Sequence, residues 1–313
     1  MTDLLLGGVE GGGTKFLAAV ARYGDGTAPE IVDRLRIDTT DPTTTLRPIA
    51  EWLATHRLAG LGIATFGPLD LETGKVRDTP KPGWSGADVV GALTGLLESP
   101  PPIGFDTDVN GAALGEWLWG AARDTNVALY LTVGTGIGGG AIIGGRPLHG
   151  LGHPEMGHIS VPRHPDDDHA TVCTLHTACL EGMASGTALL RRGDGPAEQL
   201  GDDDPLWEFE VHYLAHGLAD LTLVLAPEVI VIGGGVMQRP DLLQRVSDRL
   251  DQILDGHVDT PRVTESHFGQ EAGLMGALAL AESAASRRGD SPTSQGLRRD
   301  PPPIDLRPPR VGP

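Results

Sequence analysis

The stretch LLLGGVEGGGTKFLAAVA, residues 4–21, joins two apolar runs through a turn made largely of glycine. Apolar runs of this length separated by turn residues predict β-strands, here Leu4–Val9 and Phe16–Ala21. A second stretch of the same design, LYLTVGTGIGGGAII, occupies residues 129–143. Each stretch is followed by helical patterns. The order therefore indicates a weak internal duplication, in which two α/β lobes enclose a ligand cleft.

The rest of the chain supports this division into lobes. Further strands are predicted at Glu30–Ile37, Leu61–Thr65, Ile103–Asp106 and Val229–Ile232, and helices at Leu46–His56, Asp88–Leu97, Gly111–Trp119, Leu206–Ala226, Leu242–Leu254 and Glu271–Ala285. We expect an N-terminal lobe over residues 1–115, with helix 271–285 packing back on it, and a C-terminal lobe over 116–270. Residues 150–180 form a long loop, and loops of that length are usually functional. The Pro- and Arg-rich segment 286–313 is predicted to be disordered.

Composition excludes several classes of protein. The net charge is −18 over 313 residues, whereas a nucleic-acid surface needs clustered Lys and Arg. The one basic cluster, Arg287 to Arg310, lies in the predicted tail. No apolar run reaches the length of a membrane span, and no secretory signal is visible at the N-terminus. We expect a cytoplasmic protein with no nucleic-acid or membrane partner.

Both glycine turns are candidate phosphate sites. Glycine lets successive N–H groups converge on an anion, and threonine hydroxyls add further donors. Neither turn has the P-loop spacing or a good dinucleotide fingerprint, because each glycine run leads into a strand instead of a helix. A tight hairpin with nothing bound is the alternative for one turn alone. Two turns in corresponding places, with Gly233–Gly235 after a third strand, favour a nucleotide.

Asp108 follows an apolar strand and precedes a helix, a position at which α/β proteins form ligand crevices. A carboxylate there can accept a proton from an alcohol as a general base. The alternative is that Asp106 or Asp108 is only the N-cap of the helix, which is a common role for Asp. Spacing alone does not separate the two interpretations.

The loop at residues 150–180 is rich in metal-binding side chains. Cys173, His176 and Cys179 lie at short spacing, and His158 can supply a fourth ligand. Two thiolates and two imidazoles suit closed tetrahedral zinc, which is a structural and not a chemical site. The alternatives are a solvated His-rich loop with two free thiols, or a disulfide between them, which is rare in the cytosol.

Taken together, these segments resemble the ROK family of sugar kinases, and within it the bacterial fructokinases, from about Leu6 to about Ala281. The most specific matches are FDTDVNGAALGEWLWGAA (105–122), TVGTGIG (132–138), HPEMGHI (153–159), CTLHTACLEG (173–182) and IVIGGGVM (230–237). The resemblance implies a two-lobed actin/hexokinase-like fold with ATP and a sugar in the cleft.

The resemblance also implies roles for individual residues. Asp108 is the catalytic base, and the sugar lies against Thr107, Asp108, Glu155, His158 and Glu181. His158 links the sugar to zinc through its second ring nitrogen, with Cys173, His176 and Cys179 as the other ligands. The phosphate loops correspond to Gly12, Thr14, Lys15, Thr135 and Gly136, and the adenosine loop to Gly234 and Gly235.

Three departures from the family pattern stand out. Glu10 replaces the usual Asp, so any Mg²⁺ held by this acid would meet a slightly shifted carboxylate. Thr107 replaces the common Asn, and His176 replaces the third cysteine of most relatives, as in fructokinase members. The loop TPKPGW, residues 79–84, resembles the fructokinase form and is expected to close over the sugar, with an ordinary Pro-Gly turn as the alternative.

These features predict an ATP-dependent hexose kinase that phosphorylates D-fructose at its 6-hydroxyl, with Mg²⁺ on the ATP. The family resemblance suggests a homodimer. Glucose, mannose or N-acetylmannosamine are the alternative substrates. A sugar-responsive regulator or non-catalytic sugar binder is the alternative class. The resemblance disfavours it, because ROK repressors carry an N-terminal DNA-binding domain and a first strand near Leu4 leaves no room for one. The retained Asp108 also disfavours a protein without catalysis.

Overall fold

The structure, a computed structural model, describes residues 4–23, 27–79, 81–193, 195, 199–201 and 203–289. The strands are β1 (Leu4–Gly11), β2 (Lys15–Tyr23), β3 (Glu30–Asp38), β4 (Gly60–Thr65), β5 (Leu69–Asp70), β6 (Lys75–Val76), β7 (Ile103–Thr107), β8 (Val127–Val133), β9 (Ile137–Ile143), β10 (Arg146–Pro147), β11 (Val229–Gly233) and β12 (Arg262–Glu265). The helices are α1 (Pro42–Leu53), α2 (Val89–Thr94), α3 (Asp108–Trp119), α4 (Leu180–Ala184), α5 (Gly186–Arg192), α6 (Leu206–Leu225), α7 (Leu242–Leu254) and α8 (Ala272–Gly289). None of the described helices is both long and apolar enough to span a bilayer.

Two five-stranded sheets share one topology. The first has the order β3-β2-β1-β4-β7 and the second the order β10-β9-β8-β11-β12. In each sheet the central strand, β1 or β8, pairs antiparallel with the strand that follows its glycine turn and parallel with a strand from later in the chain, β4 or β11. The repeated order confirms the predicted two-lobed α/β architecture.

Helices α3 and α8 lie between the two sheets. One buried cluster combines Leu6 and Ala64 of the first sheet with Val231 of the second and Leu278 of α8. The helices approach closely because glycines line the contact: a Cβ added at Gly276 would lie 2.2 Å from the backbone carbon of Gly111. Helix α8, the last helix among the described residues, thus packs on the first sheet, through β1, β4 and β7.

Most elements match the sequence pattern, and the differences have local causes. Helix α1 begins at Pro42, before the apolar positions that start at Leu46, because the Asp41 side chain accepts a hydrogen bond from the Thr44 N–H. Strands β5, β6, β10 and β12 and helices α4 and α5 are too short for periodicity to reveal them. Helix α8 continues past Ala285 to Gly289, so the prediction of a disordered tail over 286–313 is wrong for residues 286–289, and residues 290–313 lie outside the described residues.

Candidate active site and metal centre

The carboxyl ends of three neighbouring parallel strands form the floor of the site. Gly11 of β1 pairs with Thr65 of β4, and Thr65 pairs with Thr107 of β7. Ligands of open α/β sheets bind at this edge. The first glycine turn and Asp108 therefore project from the same edge of the sheet.

Asp106 and Asp108 have different structural roles. Thr107 is the N-cap of α3, since its hydroxyl accepts from the Asn110 N–H at 3.2 Å. The buried Asp106 accepts from the Thr107 N–H and the Asn110 side-chain amide, both at 2.8 Å, and lies 3.0 Å from His149 Nε2. Asp108 accepts from the Val109 N–H at 3.0 Å. Neither carboxylate is the N-cap, and Asp108 retains acceptor capacity for a ligand.

The electrostatic surroundings of Asp108 include groups of both signs. Burial is the main influence on its pKa and raises it, whereas the Val109 N–H, then His153 and Lys81, act in the opposite direction. The carboxylate therefore lies between stabilising cations and a poorly solvated interior. Such a balance is typical of functional carboxylates.

Glu10, at the end of β1, is a second buried acid near Asp108. Burial, followed by the charge of Asp108, raises the pKa of Glu10 to about 7, and Lys15 opposes the shift. Its Oε2 is buried without a hydrogen-bond partner. An unpaired buried carboxylate oxygen fits a position that faces a cation or its water. Glu10 is thus compatible with the predicted Mg²⁺ contact.

Four side chains of the long loop form a group that could bind a metal. The ligand atoms of His158, Cys173, His176 and Cys179 all lie within 4.8 Å of one another. Cys179 Sγ lies 3.6 Å from His158 Nδ1, and Cys173 Sγ lies 3.5 Å from His176 Nδ1. A zinc tetrahedron with ordinary Zn–S and Zn–N bonds has S–N edges of about 3.6 Å. Both thiols are free, and their sulfurs accept backbone N–H bonds from Leu175 and Gly182.

His158 joins this group to the candidate sugar residues. Its Nδ1 faces the two sulfurs, and its Nε2 lies 4.0 Å from Glu181 Oε1. The other oxygen of Glu181 accepts from the Ile137 N–H at 3.0 Å, at the second glycine turn. A Cβ at Gly136 would lie 2.6 Å from that oxygen, so a side chain at this position would clash with the Glu181 carboxylate. Contacts of Glu181 therefore connect the metal group to the second glycine turn.

Two further predicted sugar residues have different surroundings. Glu155 is largely exposed and lies 3.5 Å from His153 Nδ1. Thr107 is buried, and its hydroxyl caps α3. Glu155 is free to meet a ligand, whereas the Thr107 hydroxyl is held in place by its capping bond to the Asn110 N–H.

The predicted nucleotide loops form two groups. Gly12 donates its N–H to the Lys15 carbonyl at 2.9 Å, which closes the first turn and leaves Thr14 exposed. In the second lobe, a Cβ at Gly234 would lie 2.2 Å from the Val133 carbonyl oxygen, and Gly234 has φ +101°. The loops containing Thr135, Gly136, Gly234 and Gly235 are therefore adjacent. Only glycine permits this approach.

Lys81 and His153 are two site residues that the sequence analysis did not single out. Both act electrostatically on Asp108. His153 lies within the quoted motif HPEMGHI, and Lys81 lies within TPKPGW. The scarcity of lysine in this chain was the available signal for Lys81.

Comparison with known proteins agrees with this geometry. The sequence profile of the ROK family matches residues 6–284. The chain belongs to the ROK family. This ROK protein is 41% identical over 293 residues to a putative fructokinase of Bacillus subtilis, covering 90% of this chain and 96% of the relative. It is 39% identical to a fructokinase of Zymomonas mobilis, covering 90% and 98% of the two chains. A ROK family glucokinase from Streptomyces griseus, solved with glucose and AMPPNP, superposes with a TM-score of 0.74 at 27% identity, covering 89% of this chain and 99% of that one.

Proposed function

We propose that this ROK protein is an ATP-dependent hexose kinase that transfers a phosphoryl group to the 6-hydroxyl of D-fructose. The observation that carries the proposal is the position of Asp108, at the same sheet edge as the first glycine turn. There the carboxylate has a free acceptor position and is partly enclosed. The resemblance to fructokinases at 41% and 39% identity, against 27% for the glucokinase structure, favours fructose.

In the proposed reaction Asp108 accepts the proton of the sugar hydroxyl as its oxygen attacks the γ-phosphorus. The oxygen–phosphorus bond forms, the bond between the γ-phosphorus and the bridging oxygen breaks, and ADP leaves. Phosphoryl transfer of this kind depends mainly on positioning and on neutralising charge. Asp108 needs only to point at the hydroxyl and to be ionised.

Glu155, His158 and Glu181 are proposed to bind the ring hydroxyls. Glu155 is exposed, and Glu181 is oriented by the Ile137 N–H. Zinc, bound by His158, Cys173, His176 and Cys179, would fix the His158 ring so that Nε2 faces the sugar. A Thr107 contact to the sugar remains part of the proposal, limited to what the capping hydroxyl can still donate.

The nucleotide is proposed to lie across the two groups of glycine loops. Gly12, Thr14 and Lys15 serve the phosphates from one lobe, and Thr135 and Gly136 serve them from the other, with Gly234 and Gly235 beside the adenosine. Mg²⁺ would neutralise phosphate charge when bound, with Glu10 oriented towards it. The active protein is proposed to be a homodimer, which light scattering coupled to size exclusion tests directly.

A substrate panel tests the proposed function. Purified protein is assayed with ATP and Mg²⁺ against D-fructose, D-glucose, D-mannose and N-acetylmannosamine, with coupled detection of ADP. We expect the highest kcat/KM with D-fructose. A clear preference for glucose would overturn the fructose assignment. Sugar binding by calorimetry without turnover of any hexose would instead favour a sugar-responsive binding protein.

A further inference from the structure

Lysine is scarce in this chain, and its distribution is uneven. The sequence contains three lysines, Lys15, Lys75 and Lys81, whereas its other basic charges are arginines. Lys15 and Lys81 both lie close enough to the acids of the site to influence their ionisation. A compact ammonium therefore acts on each of the two acids, Lys15 on Glu10 and Lys81 on Asp108, and Lys81 has no role in the reaction described above.

The ammonium of Lys81 lies between the first glycine turn and the catalytic carboxylate. A Cβ added at Gly13 would be 3.3 Å from Lys81 Nζ, so the ammonium lies against the turn between β1 and β2. The charge of Asp108 also acts on this ammonium and raises the pKa of Lys81. The phosphoryl group must pass between these two features, because one binds the donor phosphates and the other activates the acceptor.

Trp84 anchors the described residues 81–84, which include Lys81. Trp84, fully buried, stacks on Phe16 with ring centroids 5.3 Å apart and donates its indole N–H to the Thr40 carbonyl at 2.8 Å. Phe66 packs edge-on against Trp84 at 5.1 Å, and Lys81 Nζ lies 4.0 Å from the centroid of the Phe66 ring. The ammonium is thus positioned by an aromatic cluster before any ligand arrives, which limits the reorganisation that binding requires.

We propose that Lys81 is a catalytic residue whose ammonium contacts the phosphoryl group during its transfer from the nucleotide to the sugar oxygen. The inference rests on the proposed kinase function. Lys81 keeps its proton throughout: the hydroxyl proton goes to Asp108, and the bridging electrons go to ADP. The ammonium compensates the charge of the equatorial phosphoryl oxygens during the transfer.

An ammonium suits this position better than a guanidinium. It is a compact point charge on a flexible stem, whereas the planar fork of arginine favours fixed bidentate partners. Burial lowers the pKa of Lys81, and Asp108 opposes that shift. The charge is therefore poorly solvated, and a partly desolvated cation interacts more strongly with a transferring phosphoryl group.

The test compares Lys81→Gln with Lys75→Gln. Lys75 is exposed on β6 and is the remaining lysine of the chain, so its replacement is a matched control. Steady-state kinetics with fructose and ATP give kcat and both KM values. Calorimetry with ADP and aluminium fluoride, in the presence of fructose, reports affinity for a mimic of the transferring group. We expect Lys81→Gln to lower kcat by about 100-fold with little change in KM. The affinity for the mimic should fall in parallel, while Lys75→Gln matches the wild type.

Several outcomes separate the possibilities. Lys81→Arg retains the charge and is expected to recover part of kcat. An unchanged thermal unfolding curve for Lys81→Gln shows that the loss is not a folding defect. The inference is overturned if Lys81→Gln keeps near-normal kcat, or if only the KM for fructose rises. If the wild type turns over no hexose at all, the proposed function itself fails, and this inference fails with it.

Discussion

At the scale of single residues, the two carboxylates where β7 ends and α3 begins have different roles: Asp106 is structural, and Asp108 is the candidate base. Asp106 is buried and hydrogen-bonded to Thr107, Asn110 and His149. Asp108 is half-buried and accepts from the backbone N–H of Val109. Since the helix is capped by Thr107, neither acid is needed for capping. The difference in hydrogen bonding makes Asp108 the better candidate base.

Replacing Asp108 with Asn should remove the proton acceptor and keep the shape of the side chain. We expect Asp108→Asn to lower turnover by at least about 100-fold while fructose binding stays largely intact. The coupled ADP assay and calorimetry with fructose measure the two quantities. Asp220→Asn, at an exposed position of α6, is the control. Near-normal turnover in Asp108→Asn would show that another group is the base.

His149 provides a prediction about pH. Its hydrogen bond to Asp106 is the main cause that raises its pKa above the ordinary value of 6.5, and burial opposes the shift. A group with a raised pKa in the folded state contributes stability that is fully present below its ordinary pKa. That contribution is lost as the pH rises through the folded pKa. We expect His149→Gln to be less stable than the wild type at pH 5.5, with the difference shrinking by pH 8.5 in urea unfolding. A difference that grows with pH would contradict this assignment.

At the scale of elements, two groups of side chains hold the long loop. The His–Cys group links parts of the loop to one another, and a buried polar network attaches the loop to the second lobe. In that network Asp167 accepts from Arg192 at 2.8 Å and from the Tyr213 hydroxyl at 2.6 Å, and both partners of the ion pair are almost fully enclosed. The loop has little regular structure besides the turn Met156–His158. These side chains determine its path together with a short backbone bridge between Ser160 and Cys179.

The metal group predicts both stoichiometry and stability. Purified protein should contain about one zinc per chain, because the four ligands close a tetrahedron. His176→Ala should lower the zinc content and the midpoint of thermal unfolding, and a chelator should have the same effect on the wild type. Elemental analysis and differential scanning calorimetry measure these changes. His257→Ala, outside the long loop, is the control. A zinc content far below one per chain in wild-type protein would refute the metal assignment.

The buried ion pair gives a separate prediction. Asp167→Asn should reduce the free energy of unfolding by about 3 kcal/mol, because Arg192 is left as a buried, unpaired charge. Asp166→Asn is a suitable control, since the Asp166 side chain is 86% exposed. Urea unfolding monitored by circular dichroism measures both variants. Equal stability of the two variants would show that the pair contributes nothing to anchoring the loop.

At the scale of the whole molecule, two sheets of equal topology pack against a shared pair of helices. Helix α3 begins at Asp108, so the candidate base lies where the first sheet meets the helix layer. Helix α8, although it follows the second lobe in sequence, packs on β1, β4 and β7 of the first sheet. Glycines let the backbones in this helix layer approach closely, with Gly62 of β4 against α8 and Gly276 of α8 against α3.

The contact of α3 with α8 leaves no space for a side chain. A Cβ at Gly276 would lie 2.2 Å from the Gly111 carbon and 2.4 Å from the Ala112 nitrogen, both rigid backbone atoms. We expect Gly276→Ala to lower the free energy of unfolding by about 2 kcal/mol through overpacking. Ser286→Ala, exposed on the same helix, should leave stability unchanged. Urea unfolding of both variants tests this, and a stability of Gly276→Ala equal to wild type would contradict the close packing.

Periodicity and turn residues were sufficient to predict the two glycine-turn hairpins, the longer helices and the two-lobed α/β class. These features are local, since apolar spacing and glycine act within one segment. The family resemblance likewise came from contiguous motifs, and the family match confirms it. Short elements such as β12 and α4 carried no periodic signal and became visible only in the fold.

The surroundings of Asp108 depended on tertiary structure. The sequence alone placed two carboxylates two residues apart and could not distinguish base from cap, because hydrogen-bond partners such as His149 come from distant segments. The same is true of Lys81 and Gly13, which meet only because Trp84 is packed against Phe16 and Phe66. The sequence by itself determined the secondary structure and the chemical types at the site. Folding decided which charges face one another, since that depends on long-range packing.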